Sequence, residues 1–94
     1  MTLQTSPHRI WLEDGEGRQV AFVSFPARSD RVVEIVSTVV SPPFRGQGVA
    51  GLLLETLAQQ LRTQGKQAIP VCSYAVSWFS QHPEQQDLLW KSTP

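Results

Sequence analysis

Arg45-Gly46-Gln47-Gly48-Val49-Ala50 separates a valine-rich run from a leucine-rich one. The order predicts strand, loop and helix, so several unpaired backbone N–H groups converge where the helix dipole favours negative charge. This is the place in the chain best suited to hold a phosphate. Gly46 and Gly48 let a ligand approach the main chain without a Cβ in the way, and Gly51, one turn further, allows close packing. The stretch lacks the Lys-Ser/Thr of a P-loop, and its glycines do not have the dinucleotide-binding spacing, so a nucleoside triphosphate and a nicotinamide dinucleotide are excluded as ligands. A plain tight turn between strand and helix would use the same residues, and the local motif leaves that alternative open.

A second group of reactive side chains lies downstream. Cys72, the one cysteine, stands at the expected end of a strand and just before a helix, a setting that can stabilise a thiolate. It is a candidate nucleophile, with a small apolar wall residue as the alternative. Tyr74, the one tyrosine, could protonate a leaving group, or it could pack on the sheet with its hydroxyl in water. Glu34 could deprotonate an amine through water if it faced the same cleft, although a strand carboxylate is usually solvated. His82, before Pro83, reads as a turn residue with a surface imidazole, and His8 as polarity at the start of a strand. Trp78, Phe79 and Trp90 read as core aromatics.

The rest of the chain must position these groups. Its 94 residues, 40% hydrophobic and 17% charged, fit one small domain over residues 1–94 with no room for a second. Eight basic and eight acidic side chains form no basic run, so nucleic acid is not an expected partner. One cysteine and two histidines exclude a disulfide framework and a structural zinc site, and no metal is expected. Residues 1–20 contain neither a signal-peptide pattern nor a membrane-spanning run, so a cytoplasmic protein that avoids membranes is expected. Oligomeric state is not readable from the sequence.

Residues 1–7 read as a loose lead-in, and residues 91–94 as frayed. Strands are expected over 10–13 and 20–25, joined as a hairpin through Asp14-Gly15-Glu16-Gly17. Residues 27–30 read as a turn, and the β-branched run over 31–40 as one strand ended by Pro42 and Pro43. From Gly48 to Gln64 the spacing is helical, with Ala50, Leu53, Leu54, Leu57, Ala58 and Leu61 on one stripe and Gly65 closing the helix. A short strand within 66–72, a helix from Ser73 to about Ser80 and a further turn over 84–90 complete an α+β order. The connection through the long helix should make the last strand parallel to the third.

With these residues in place, the chain resembles the GNAT superfamily of N-acetyltransferases, whose acetyl-CoA loop reads Arg/Gln-x-x-Gly-x-Gly/Ala, here Arg45, Gly48 and Ala50. Ser37-Thr38-Val39, then Pro43-Phe44-Arg45-Gly46-Gln47-Gly48, then Pro70-Val71-Cys72-Ser73-Tyr74 and His82-Pro83-Glu84, resemble its short stand-alone acetyltransferase family over residues 8–90. The resemblance implies a mostly antiparallel sheet with helices packed on it. The third and last strands would part to admit the pantetheine arm of acetyl-CoA. It further implies that Arg45, Gly46, Gln47, Gly48, Val49 and Ala50 hold the pyrophosphate and that the edge of Thr38, Val39 and Val40 pairs with pantetheine. A free N–H near Val39 or Val40 would meet the thioester carbonyl, with the thioester near Cys72. The implied activity is acetyl transfer to an amine acceptor, small molecule or protein, through a pocket not walled by the helices usual in the superfamily. Phe79 stands where many members carry a tyrosine, Ser37 replaces a frequent histidine, and Gln85 replaces a frequent tyrosine. These departures keep a non-catalytic CoA-binding or protein-interaction module open as the alternative.

Overall fold

The computed structural model describes residues 1–91. Alternating apolar and polar residues build a four-stranded antiparallel sheet in the order β1 (Thr2–Thr5), β2 (Arg9–Glu13), β3 (Gln19–Ser24) and β6 (Ser37–Val40). The β2–β3 turn closes as its composition predicts. Asp14 Oδ1 accepts the amides of Glu16 and Arg18 at 2.9 and 3.0 Å, and Gly17 takes φ +79°. A second sheet holds β4 (Ala27–Ser29), β5 (Val32–Ile35) and β7 (Gln67–Pro70), with β7 parallel to β5. The parallel crossover therefore forms as expected.

The helix α1 (Val49–Gln64) lies against β2, β3 and β6. Its leucine stripe is buried, with Leu53, Leu57 and Leu61 wholly inaccessible. Each such side chain is worth roughly 1.5–3 kcal/mol of apolar burial. They meet Ile10, Val23, Phe25 and Ile35 from the two sheets. Gly65 ends the helix at φ +66°, and the Lys66 amide reaches back to Leu61 O at 2.9 Å. That is the αL closure a glycine supplies cheaply.

Several sequence expectations change. Residues 2–5 are not a loose lead-in: they pair with β2 along their whole length, from Thr2 opposite Glu13 to Thr5 opposite Ile10. Leu3 packs against the core, and Ser6 holds the following turn through bonds to Arg9. Within the expected turn over 27–30, residues 27–29 form the edge strand β4. The expected strand over 31–40 is two strands. Ile35 pairs with Pro70 in one sheet and Ser37 with Ser24 in the other, so the chain changes partner at Val36. Cys72, not Ser73, is the N-cap of α2 (Ser73–Ser80), and its side chain makes no capping bond. A 3₁₀ helix over Pro83–Leu88 then buries Leu88, while Trp90 is 37% exposed under the Arg28 guanidinium rather than in the core. Lys91 lies outside regular structure, and the remainder of the expected frayed end, 92–94, lies outside the described residues.

Candidate functional site

The site is made where β6 ends. Ser41 donates its amide to Val20 O at 2.8 Å, and Pro42-Pro43-Phe44 then turn the chain off the sheet because the prolines cannot continue a ladder. The Phe44 and Arg45 amides close this turn on Ser41 O and Pro42 O at 2.9 and 3.2 Å. From there the pattern of bonding stops. Among the described residues, no acceptor is found for the amides of residues 46–51, until Leu52 donates to Gly48 O at 3.0 Å. Gly46 and Gly48 hold φ +76° and +79°, which aims successive N–H groups into a shared concavity. A Cβ on either glycine would stand in open space. No acidic side chain occupies the first turn of α1, so its positive end faces the concavity unopposed.

The resulting cleft, about 230 Å³, runs from Val40, Phe44 and Arg45 past the glycines to Gly51 and Tyr74. Arg45 braces it: Nε donates to Val40 O at 2.9 Å, which leaves the two terminal nitrogens of the guanidinium for a ligand. Gln47 ties the loop to Pro43 O at 3.2 Å. Val49 and Ala50 complete the wall as the first residues of α1. The donor set, backbone N–H groups and one guanidinium, fits a diphosphate.

One end of the cleft opens on the edge of β6. Antiparallel bonding alternates, so counting back from Ser41, which bonds β3, Val39 also faces β3, whereas Val40 and Thr38 turn their main-chain groups to the free edge. Of the two amides expected to be free, Val40 is and Val39 is engaged; Thr38, already in the expected pairing edge, joins Val40 as a free amide once the register is known. The second wall is the end of β7. Val71 and Cys72 both donate to Ile35 O, at 2.9 and 3.0 Å, and among the described residues no backbone bond joins β6 to β7, which lie in different sheets. Thr38 Oγ1 and Cys72 Sγ lie 3.5 Å apart across the mouth. Cys72 is half-buried against the core.

Tyr74 lines the same cleft beside Gly51. A methyl group added to Gly51 would sit 3.8 Å from its hydroxyl oxygen, so the phenol lies over the first turn of α1. Burial raises its pKa above the ordinary value near 10. Beyond Tyr74 a second hollow of about 440 Å³ continues to Glu55, Trp78 and His82. His82 is not a free surface group: it stacks on Trp78 at 4.1 Å between ring centres and its Nδ1 bonds Trp78 O at 2.6 Å. A carbonyl can only accept, so Nδ1 carries the hydrogen of that bond. Glu34 is turned away, paired with Arg28 at 3.7 Å on β5. His8 packs edge-on to Phe25. Among the described residues no His/Cys/Asp/Glu cluster of metal-binding size occurs, and no helix is long and apolar enough to cross a membrane.

Comparison with known proteins bears on the fold and the family. The chain is similar to a GCN5-like protein from Staphylococcus aureus at 22% identity and a TM-score of 0.78, over 98% of this chain and 90% of that one. It is also similar to Rv2747 from Mycobacterium tuberculosis, in complex with CoA, at 19% identity and a TM-score of 0.65, covering 81% of this chain and 47% of that one. For the GNAT-family N-acetyltransferase YhbS from Escherichia coli, also in complex with CoA, the values are 21% and 0.63, over 73% and 42%. The chain thus spans less than half the length of these two complexes, and the likeness is one of fold. No curated protein matches it. A family model described as GCN5-related N-acetyl-transferase matches residues 9–88, and the chain therefore belongs to the GCN5-related N-acetyltransferase family.

Proposed function

We propose that the chain is an acetyl-CoA-dependent N-acetyltransferase acting on an amine acceptor. The observation that carries this is the row of unpartnered amides at 46–51, set beside a β6 edge that no described strand covers. Two structural neighbours are complexes with CoA, which supports the choice of ligand. Arg45, Gly46, Gln47, Gly48, Val49 and Ala50 bind the diphosphate, and the Thr38-Val39-Val40 edge takes the pantetheine amides as an added strand. The Thr38 or Val40 N–H donates to the thioester carbonyl, a bond that strengthens as charge builds on the oxygen. The amine nitrogen then attacks the carbonyl carbon. The C–N bond forms as the C–S bond breaks, the amine loses its proton to solvent, and the departing thiolate gains one. Val36, Val39 and Val71 are exposed around the mouth, so a protein terminus, a lysine or a small amine could approach there. Holding the two reactants together supplies much of the rate.

Cys72, next to Thr38, offers a variant in which the thiol carries the acetyl group before the amine takes it. A second reading, a module that binds CoA without turnover, is favoured by one observation: Phe79, at the position of the superfamily's frequent tyrosine, is only 3% exposed and carries no hydroxyl. Calorimetry with acetyl-CoA and CoA, then thiol release over a panel of amines, separates the readings. Binding with release above spontaneous hydrolysis is expected. Tight binding without release would establish the module, and no binding would end both.

A further inference from the structure

We infer that Tyr74 is a binding residue for the diphosphate, its hydroxyl donating to a phosphate oxygen, and that it does not protonate the departing thiolate. The inference rests on the acetyltransferase reading and assigns a role within that site. Cys72 and Tyr74 are two residues apart at the start of α2, which turns their side chains to different neighbours. Cys72 Sγ meets Thr38 Oγ1 at 3.5 Å, on the open edge of β6. The Tyr74 hydroxyl instead lies over Gly51 and lines the cleft that Gly46, Gly48 and Val49 also line. A proton donor must come within hydrogen-bond reach of the sulfur, whereas the contact seen for the Tyr74 hydroxyl is with the first turn of α1, beside the proposed diphosphate site.

Three further facts point the same way. The Tyr74 hydroxyl makes no hydrogen bond to another described residue, and the residue is 38% exposed, which leaves that donor open to a ligand. Burial keeps the phenol protonated to higher pH than usual, so it stays a donor and brings no negative charge to the cradle. Cations are scarce there. Arg18 pairs with Asp14 and Glu16, Arg28 with Glu34, and Arg62 with Asp87. Arg9 lies over Phe22 and Arg31 beside Gly65, which leaves Arg45 as the arginine lining the cleft. A diphosphate supplied with backbone amides and one guanidinium has oxygens to spare for a neutral donor.

Tyr74→Phe tests this with the ring retained and folding checked by thermal melt. Affinities are measured for CoA and for pantetheine, which lacks the diphosphate, and thiol release is measured with acetyl-CoA and S-acetylpantetheine. The variant should bind CoA about tenfold or more weakly, the scale of one hydrogen bond to a charged group. Its pantetheine affinity should change less than its CoA affinity, and the loss in thiol release should fall mainly on KM for acetyl-CoA and only weakly on KM for S-acetylpantetheine. Unchanged CoA affinity overturns the inference, as does a kcat loss shared by both acetyl donors, which would mark an acid at the sulfur. If wild-type protein binds neither CoA nor acetyl-CoA, the acetyltransferase reading fails and takes the inference with it. If it binds but turns nothing over, the CoA-to-pantetheine affinity ratio decides alone.

Discussion

Replacing Gly48 by alanine adds one methyl group to the cradle and separates strain from ligand loss. At φ +79° the new side chain meets nothing within 4 Å, so the cost to folding is the left-handed backbone alone. That is about 1–2 kcal/mol for an L-residue. For a domain of this size it lowers the melting temperature by roughly 5–15 °C. Gly17 supplies the control, because it has the same φ of +79° and the same open surroundings in the β2–β3 turn, away from the cleft. Gly17→Ala should therefore melt lower by a similar amount. The two variants should differ in ligand affinity. At Gly48 the methyl group projects beside the amides proposed to hold the diphosphate, and relaxing the strain would turn them away. Losing one hydrogen bond to a charged group costs about 1.5–3 kcal/mol, roughly ten- to hundredfold in Kd. Calorimetric titration with acetyl-CoA of both folded variants reads this directly. Equal affinities for the two would show that the loop grips nothing and would remove the basis of the proposed function.

Val40→Pro deletes an amide that faces the free edge, so the protein should fold while thiol release falls; Val39→Pro removes a bond to β3 and should destabilise the sheet by several kcal/mol. Equal melting temperatures for these two would contradict the assigned alternation. If Cys72 carries acetyl, intact mass after acetyl-CoA exposure should show an adduct that Cys72→Ser abolishes together with turnover; ordinary rates in the variant leave direct attack by the amine. Asp14 is held below the ordinary 3.8 chiefly by the amides of Arg18 and Glu16, and Asp87 chiefly by the Arg62 side chain. A folded pKa depressed below the unfolded one gives stability that is present above about 4 and lost as pH falls through the lower folded value. The melting temperature should accordingly drop below about pH 4, less steeply in Asp87→Asn, and an identical acid profile in that variant would refute the assignment.

The long helix was legible because its leucines recur at helical spacing and Gly65 marks its end, both local signals. The cradle was legible for the same reason: Gly46 and Gly48 sit between two strongly patterned runs. What the sequence hid depends on partners distant along the chain. The run over 31–40 is uniformly β-branched, so nothing local announces that Val36 passes from one sheet to the other. Residues 2–5 become a strand only because β2 offers them an edge. Trp90 is apolar enough for a core position, yet its backbone bonds Ala68 at 2.9 Å and leaves the indole outside. Tyr74 and Gly51 are far apart in sequence, and no pattern pairs them before α1 and α2 pack.

The doubly occupied Ile35 carbonyl has a consequence for how the ligand enters. With Val71 and Cys72 both bound to it, and with Pro70 lacking an N–H of its own, the main-chain amides of residues 70–72 have no donor left for the β6 edge. Among the described residues, the hydrogen bond between Thr38 Oγ1 and Cys72 Sγ is the one that spans the two walls. An incoming arm needs little rearrangement of its host, so association escapes most of the ordering entropy that a floppy groove would impose, and affinity can rest on few contacts.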